Sequence, residues 1–203
     1  MLHQVAFSVS LVVGTLLIAN AGSARERLSA AVFAGSVAAC FGLSALYHRV
    51  TWRPQLRLWM RRLDHAGIYL LIAGTYTPVG LLVLHGTWEW AVLGVVYAGA
   101  LAAIVLKFAW VAAPKWLSAV TGIGLGWVGV VVFPQLLSRV GIAGSMLVLA
   151  GGLGYTAGAL IYAFRRPDPI PAVFGYHELF HAFVIVAVGL QYAAVAFFVL
   201  PTH

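Results

Sequence analysis

A chain of 203 residues that is 63% hydrophobic and only 8% charged, with a mean hydropathy of +0.98, has too little polar surface to cover a soluble globule, so it reads as an integral membrane protein. Its net charge of +7 does not point to nucleic acid, because the basic residues fall in short connections beside apolar spans, where they act as topology signals and contacts for anionic headgroups. One cysteine, Cys40, excludes an internal disulfide framework or a thiolate cage and leaves histidine and carboxylate as the ligand chemistry.

Seven apolar segments are long enough to cross a bilayer as helices: Val5 to Ala21, Leu28 to Tyr47, Ala66 to Leu84, Trp88 to Trp110, Trp116 to Leu137, Val140 to Phe164 and Ala172 to Leu200. Ala19-Asn20-Ala21 has the form of a signal-peptide cleavage site. No Lys or Arg precedes Val5 to make a basic leader, however, and the first segment is expected to be a retained helix. The expected fold is therefore all-α: a single seven-helix transmembrane domain over residues 1–203, with the N-terminus cytoplasmic and the C-terminus outside. The orientation follows from Arg49, Arg53, Arg57, Arg61, Arg62, Lys107, Lys115, Arg165 and Arg166, nine of the twelve basic residues, which share the side of the N-terminus. Gly122, Gly126 and Gly129 are expected to let neighbouring helices approach, Pro78 and Pro134 to kink or end theirs, and Trp52, Trp59, Trp88, Trp90, Trp110 and Trp116 to anchor span ends. No internal repeat supports an inverted-repeat transporter.

Ionisable side chains inside such spans are costly and read as functional. His177 and His181, at i and i+4, project from one face of a helix about a turn apart, which suits two ligands of one metal ion. The topology brings the end of the second span, His48, and the start of the third, Asp64, to the same membrane face as this pair. Three histidines leave an open position on tetrahedral zinc, as catalytic sites do, and Asp64 is placed to hold and deprotonate a zinc-bound water. Ser44, one turn deeper than His48, can donate to a substrate oxyanion or orient a ligand. Singly, His48 reads equally well as an interfacial histidine, and Asp64 as a partner of Arg61 or Arg62 or a helix-start charge. As a set on one face they favour the metal site. His65 points about 100° from Asp64 and reads as interfacial or as a neighbour of the site. Cys40 reads as a buried thiol, and His3, His85 and His203 are given no role. His177-Glu178-Leu179-Phe180-His181 matches H-E-x-x-H, but no third protease ligand or peptide path accompanies it, which leaves Glu178 at most an assistant to the bound water.

Ser44-Ala-Leu-Tyr-His48, the run from Leu63-Asp-His-Ala-Gly to Thr75-Tyr-Thr-Pro78, and Gly175-Tyr-His-Glu-Leu-Phe-His181 together resemble the bacterial haemolysin III family, a branch of the progestin and adipoQ receptor family that includes the adiponectin receptors. The resemblance covers essentially the whole chain. It implies seven helices in a bacterial inner membrane, zinc held at His48, His177 and His181, Asp64 on zinc-bound water and Ser44 in support. The family's longer N-terminal segment is not matched, and Glu178 looks like the bacterial choice where receptor relatives carry an amide. Relatives are described as receptors, as ceramidase-like lipid amidases and as haemolysins. The expected function is zinc-dependent hydrolysis of a lipid amide, with membrane lipids as partners. The competing expectations are a membrane-perturbing or channel-type haemolysin and a sensor with structural zinc. Oligomeric state is not legible.

Overall fold

The structure, a computed structural model, describes residues 2–202, with Thr202 described by its backbone alone; His203 lies outside the described residues. Seven α-helices follow one another: α1 Leu2–Ala19, α2 Ala24–Arg49, α3 Pro54–Pro78, α4 Thr87–Ala109, α5 Lys115–Gly126, α6 Phe133–Phe164 and α7 Tyr176–Ala194. Among the described residues there is no strand, and six continuous helical stretches are long and apolar enough to cross a membrane. The fold is that of an integral membrane protein.

Local chemistry explains most boundaries. Ser23 caps α2 in a reciprocal box with Glu26, its side chain accepting from the Glu26 N–H while Glu26 accepts from the Ser23 backbone. Pro54 opens α3, where its missing N–H costs nothing. The helix thus begins twelve residues before the expected apolar start at Ala66, carrying Arg57, Arg61 and Arg62 on its first turns. Pro78 ends α3 and passes it into a π-helical turn, Val79–Val83, closed by Leu84 N–H on the Val79 carbonyl at 3.0 Å. Pro134 sits in the first turn of α6. A second π turn, Val195–Val199, continues α7.

Helix α5 runs through a 3₁₀ segment, Trp127–Val132, into α6, so Lys115–Phe164 is helical over 50 residues. It is not straight. Gly141 adopts φ 75°, a left-handed value open to glycine, and Trp127 Nε1 donates to Thr156 Oγ1 at 3.0 Å across a separation no straight helix allows. Tyr76 of α3 ties down the 3₁₀ segment, donating to the Gly126 carbonyl at 2.6 Å and accepting from Gly129 N–H at 2.8 Å.

The helices α1, α2, α3 and α7 enclose one apolar core around Phe33, Val37, Phe41, Leu71, Val184 and Val188. Helix α3 turns its other face, with Tyr69 and Ala73, to Val92, Val96 and Ala100 of α4. Between membrane helices the attraction is van der Waals packing rather than expulsion of water, so small residues set the approach. In the fifth segment a Cβ at Gly129 would come within 3.0 Å of the Tyr76 hydroxyl and one at Gly122 within 3.9 Å of Ile72, while one at Gly126 would touch nothing; close approaches also lie at α1–α2 and α2–α3. A Cβ at Gly14 would come within 2.8 Å of the Ala34 Cβ, and one at Gly67 within 3.2 Å of the Cys40 Cα.

Candidate metal centre

The connection before α7 sets its first turn. Glu178 Oε2 accepts the Gly175 N–H at 3.0 Å, and Asp168 Oδ1 accepts the Tyr176 N–H at 2.8 Å, satisfying donors that a helix start leaves unpaired. Glu178 is thereby a capping residue within the H-E-x-x-H run. Helical spacing then puts His177 and His181 on one face, with His181 Nε2 2.9 Å from His177 Nε2. His48, in the last turn of α2, brings its Nε2 to 3.3 Å from His177 Nε2. The three histidines offer ring nitrogens that all lie within 4.8 Å of one another.

Asp64 stands on α3 beside this group, Oδ2 3.9 Å from His48 Nε2. Arg61 and Arg62 do not pair with it among the described residues. Ser44, one turn before His48 on α2, is buried with its hydroxyl beside the Asp64 carboxylate. All five sequence-selected residues therefore occupy one end of the bundle.

One neighbour was passed over. His3, assigned no role from sequence, lies in the first turn of α1, only 7% exposed, with its ring centroid 3.8 Å from that of His181. His181 Nδ1 is 2.9 Å from the His3 ring nitrogens. A pair of neutral imidazoles meets at this distance when one N–H points at the other's lone pair, so His3 engages the Nδ1 side of His181 while Nε2 faces His177 and His48. The signal was present: α1 and α7 start on the same face, and the topology that gathered Asp64 gathers His3 as well. His65 is the reverse case, a residue beside Asp64 whose Nδ1 is buried without a partner. Cys40 is buried and free, and His85 is exposed in a connection.

The centre forms one end of a cavity of about 220 Å³. Asp64, His177 and His181 line that end, and Leu136, Val148 and Gln191 the other. From His177 to Gln191 along α7 is about 21 Å at 1.5 Å per residue, most of a hydrocarbon core. Its walls are largely apolar side chains of α3, α5, α6 and α7.

Three nitrogens and a nearby carboxylate, at one end of a long apolar cavity, are groups that can bind a cation and meet an amphiphile. Comparison with known proteins agrees with the sequence motifs. The chain is 30% identical over 203 residues to "Hemolysin-3" of Bacillus cereus, covering 98% of this chain and 90% of that relative. It is 31% identical over 189 residues to "Hemolysin-3 homolog" of Bacillus subtilis (strain 168), covering 93% and 85%. It is 30% identical over 192 residues to "Heptahelical transmembrane protein ADIPOR2" of Oryza sativa subsp. japonica, covering 86% and 83%. The family model described as "Haemolysin-III related" matches residues 1–192, and the chain belongs to that family of membrane proteins.

Proposed function

We propose that this protein is a zinc-dependent intramembrane hydrolase of lipid amides, seated in a bacterial inner membrane. The observation that carries the reading is the convergence of His48, His177 and His181 on one point at the mouth of an apolar cavity. The donor set fits zinc: tetrahedral coordination at 2.0–2.1 Å separates ligand nitrogens by about 3.3 Å, close to the 2.9 and 3.3 Å between neighbouring rings. His48, His177 and His181 would hold the ion, and His3 would fix the orientation of His181 from behind.

When bound, zinc supplies Lewis-acid polarisation and lowers the pKa of a water ligand to about 7. Asp64 takes a proton from the attacking water and returns it to the departing amine, so that water and amide become carboxylic acid and amine. Ser44, whose hydroxyl lies beside the Asp64 carboxylate, donates to the oxygen on which charge develops. The apolar walls hold the acyl chain and keep bulk water from the reacting carbonyl.

In this reading the bundle has seven spans with the N-terminus in the cytoplasm. A straight 50-residue helix would be about 75 Å long against a core of about 30 Å. A reversal at Gly141 makes two spans of Lys115–Phe164, and the rice relative's name is heptahelical. The basic residues beside His48, Asp64 and Lys115 support a centre at the cytoplasmic face.

The name of the Bacillus relatives supports a second reading, lysis of membranes. A screen of long-chain N-acyl lipids and esters against purified protein, with and without its metal, separates the two. Hydrolysis that disappears on chelation and returns with zinc is expected. Lysis of erythrocytes by chelated protein, with no hydrolysis by the zinc form, would leave the lytic reading standing instead.

A further inference from the structure

The five carboxylates of this chain are all accounted for: Glu26 caps α2, Glu89 pairs with Arg25 at 2.6 Å, Asp168 and Glu178 hold the start of α7, and Asp64 faces His48. None serves Lys107, in the last turn of α4. This lysine is 2% exposed, whereas Arg49, Arg53, Arg57, Arg165 and Arg166 are exposed as topology residues should be. Its ammonium donates to the Ser118 hydroxyl and has no ion-pair partner among the described residues. Arg61, the charged group that acts on it, adds positive rather than negative potential. A buried cation without a counter-ion is costly, and one that faces a cavity is explained when the anion comes from the occupant.

Lys107 and Ser118 line the same cavity as the metal centre, and so does His65, whose Nδ1 is buried without a partner. We propose that Lys107, with the Ser118 hydroxyl and His65 Nδ1–H, is a headgroup site for an anionic single-chain lipid whose chain lies in the cavity. An ammonium is a point charge that attracts an anionic oxygen, and the two neutral donors supply the directional bonds a phosphate or carboxylate accepts. The hydroxyl already held by Lys107 keeps the ammonium in place before the ligand arrives. This site rests on the reading of the cavity as a lipid chamber and is independent of zinc chemistry.

The test is equilibrium binding of radiolabelled dodecyl phosphate and dodecanol, equal in chain length, to the full protein in nanodiscs of zwitterionic lipid. Wild type should bind the phosphate at least about tenfold more tightly than the alcohol. Lys107→Met should bring that ratio to about one with dodecanol affinity unchanged, Ser118→Ala should reduce it by about threefold, and His181→Ala should keep it. Inorganic phosphate at the same concentration should not compete. On wild type, dodecyl phosphate but not dodecanol should protect Lys107 from reductive methylation, read by mass spectrometry, which serves even if Lys107→Met does not fold. Equal affinities in wild type, a ratio retained in Lys107→Met, or full competition by inorganic phosphate would overturn the site. A ratio lost in His181→Ala and kept in Lys107→Met would place the anion on the metal instead. Neither probe contains an amide, so absence of hydrolysis leaves this result unaffected.

Discussion

The two ends of the bundle treat charge in opposite ways. Where α2 begins and α4 starts, Glu26 is locked in a capping box, Arg25 meets Glu89, and Arg27 Nε donates to the Ala21 carbonyl at 3.1 Å. Where α2 ends and α7 starts, three histidine nitrogens crowd together, His65 Nδ1 is buried without a partner, and Lys107 has no counter-ion among the described residues. Buried polar groups in proteins are almost always satisfied. At the histidine end the exceptions share one cavity, whereas the unpartnered hydroxyls of Ser29 and Ser145 lie outside it and apart from one another.

The sharpest way to break this contrast is to remove a member of the histidine cluster. His48→Ala or His181→Ala should lose both bound zinc and hydrolysis, since two histidines make a poor site; metal analysis and a lipid-amide assay on the same preparations check it. Asp64→Asn comes next. It should keep the zinc and reduce hydrolysis by about 10²- to 10⁴-fold, because in the proposed reaction the carboxylate moves the proton and does not hold the ion. An Asp64→Asn enzyme as active as wild type would leave the zinc structural. A smaller effect is expected behind the cluster: His3→Ala should weaken zinc by about 10- to 100-fold in chelator competition, with partial recovery in His3→Gln, whose side chain still offers a polar partner to His181. The smallest is at the opposite end. Arg25→Ala removes a half-exposed ion pair and should cost under about 1 kcal/mol in unfolding while zinc content stays at the wild-type level.

Much of this arrangement was legible in the sequence because membrane topology is a strong constraint. Once spans alternate direction, His48, Asp64 and the His177–His181 pair must share a face, and the i, i+4 spacing supplies the geometry. His3 was passed over because a lone histidine near a chain end looks like a tail residue, though the same alternation places it beside His181. Lys107 was read only as a topology charge, since burial is a property of packing that no span count reports. The irregular elements were also out of reach. The π turn after Pro78 depends on how that proline's neighbours re-pair their carbonyls, and the break within α6 depends on a single left-handed residue, Gly141, in an otherwise helical run. Glu178, in a run that matched a metalloprotease pattern without its other parts, accepts from the start of its own helix.

The central claim is that one end of the bundle is a zinc site, and metal content tests it most directly. Protein extracted in mild detergent and never exposed to chelator should carry about one zinc per chain by elemental analysis, while His181→Ala of the same fold should carry almost none. Stoichiometric iron, no metal in the wild type, or zinc undiminished in His181→Ala would contradict the account.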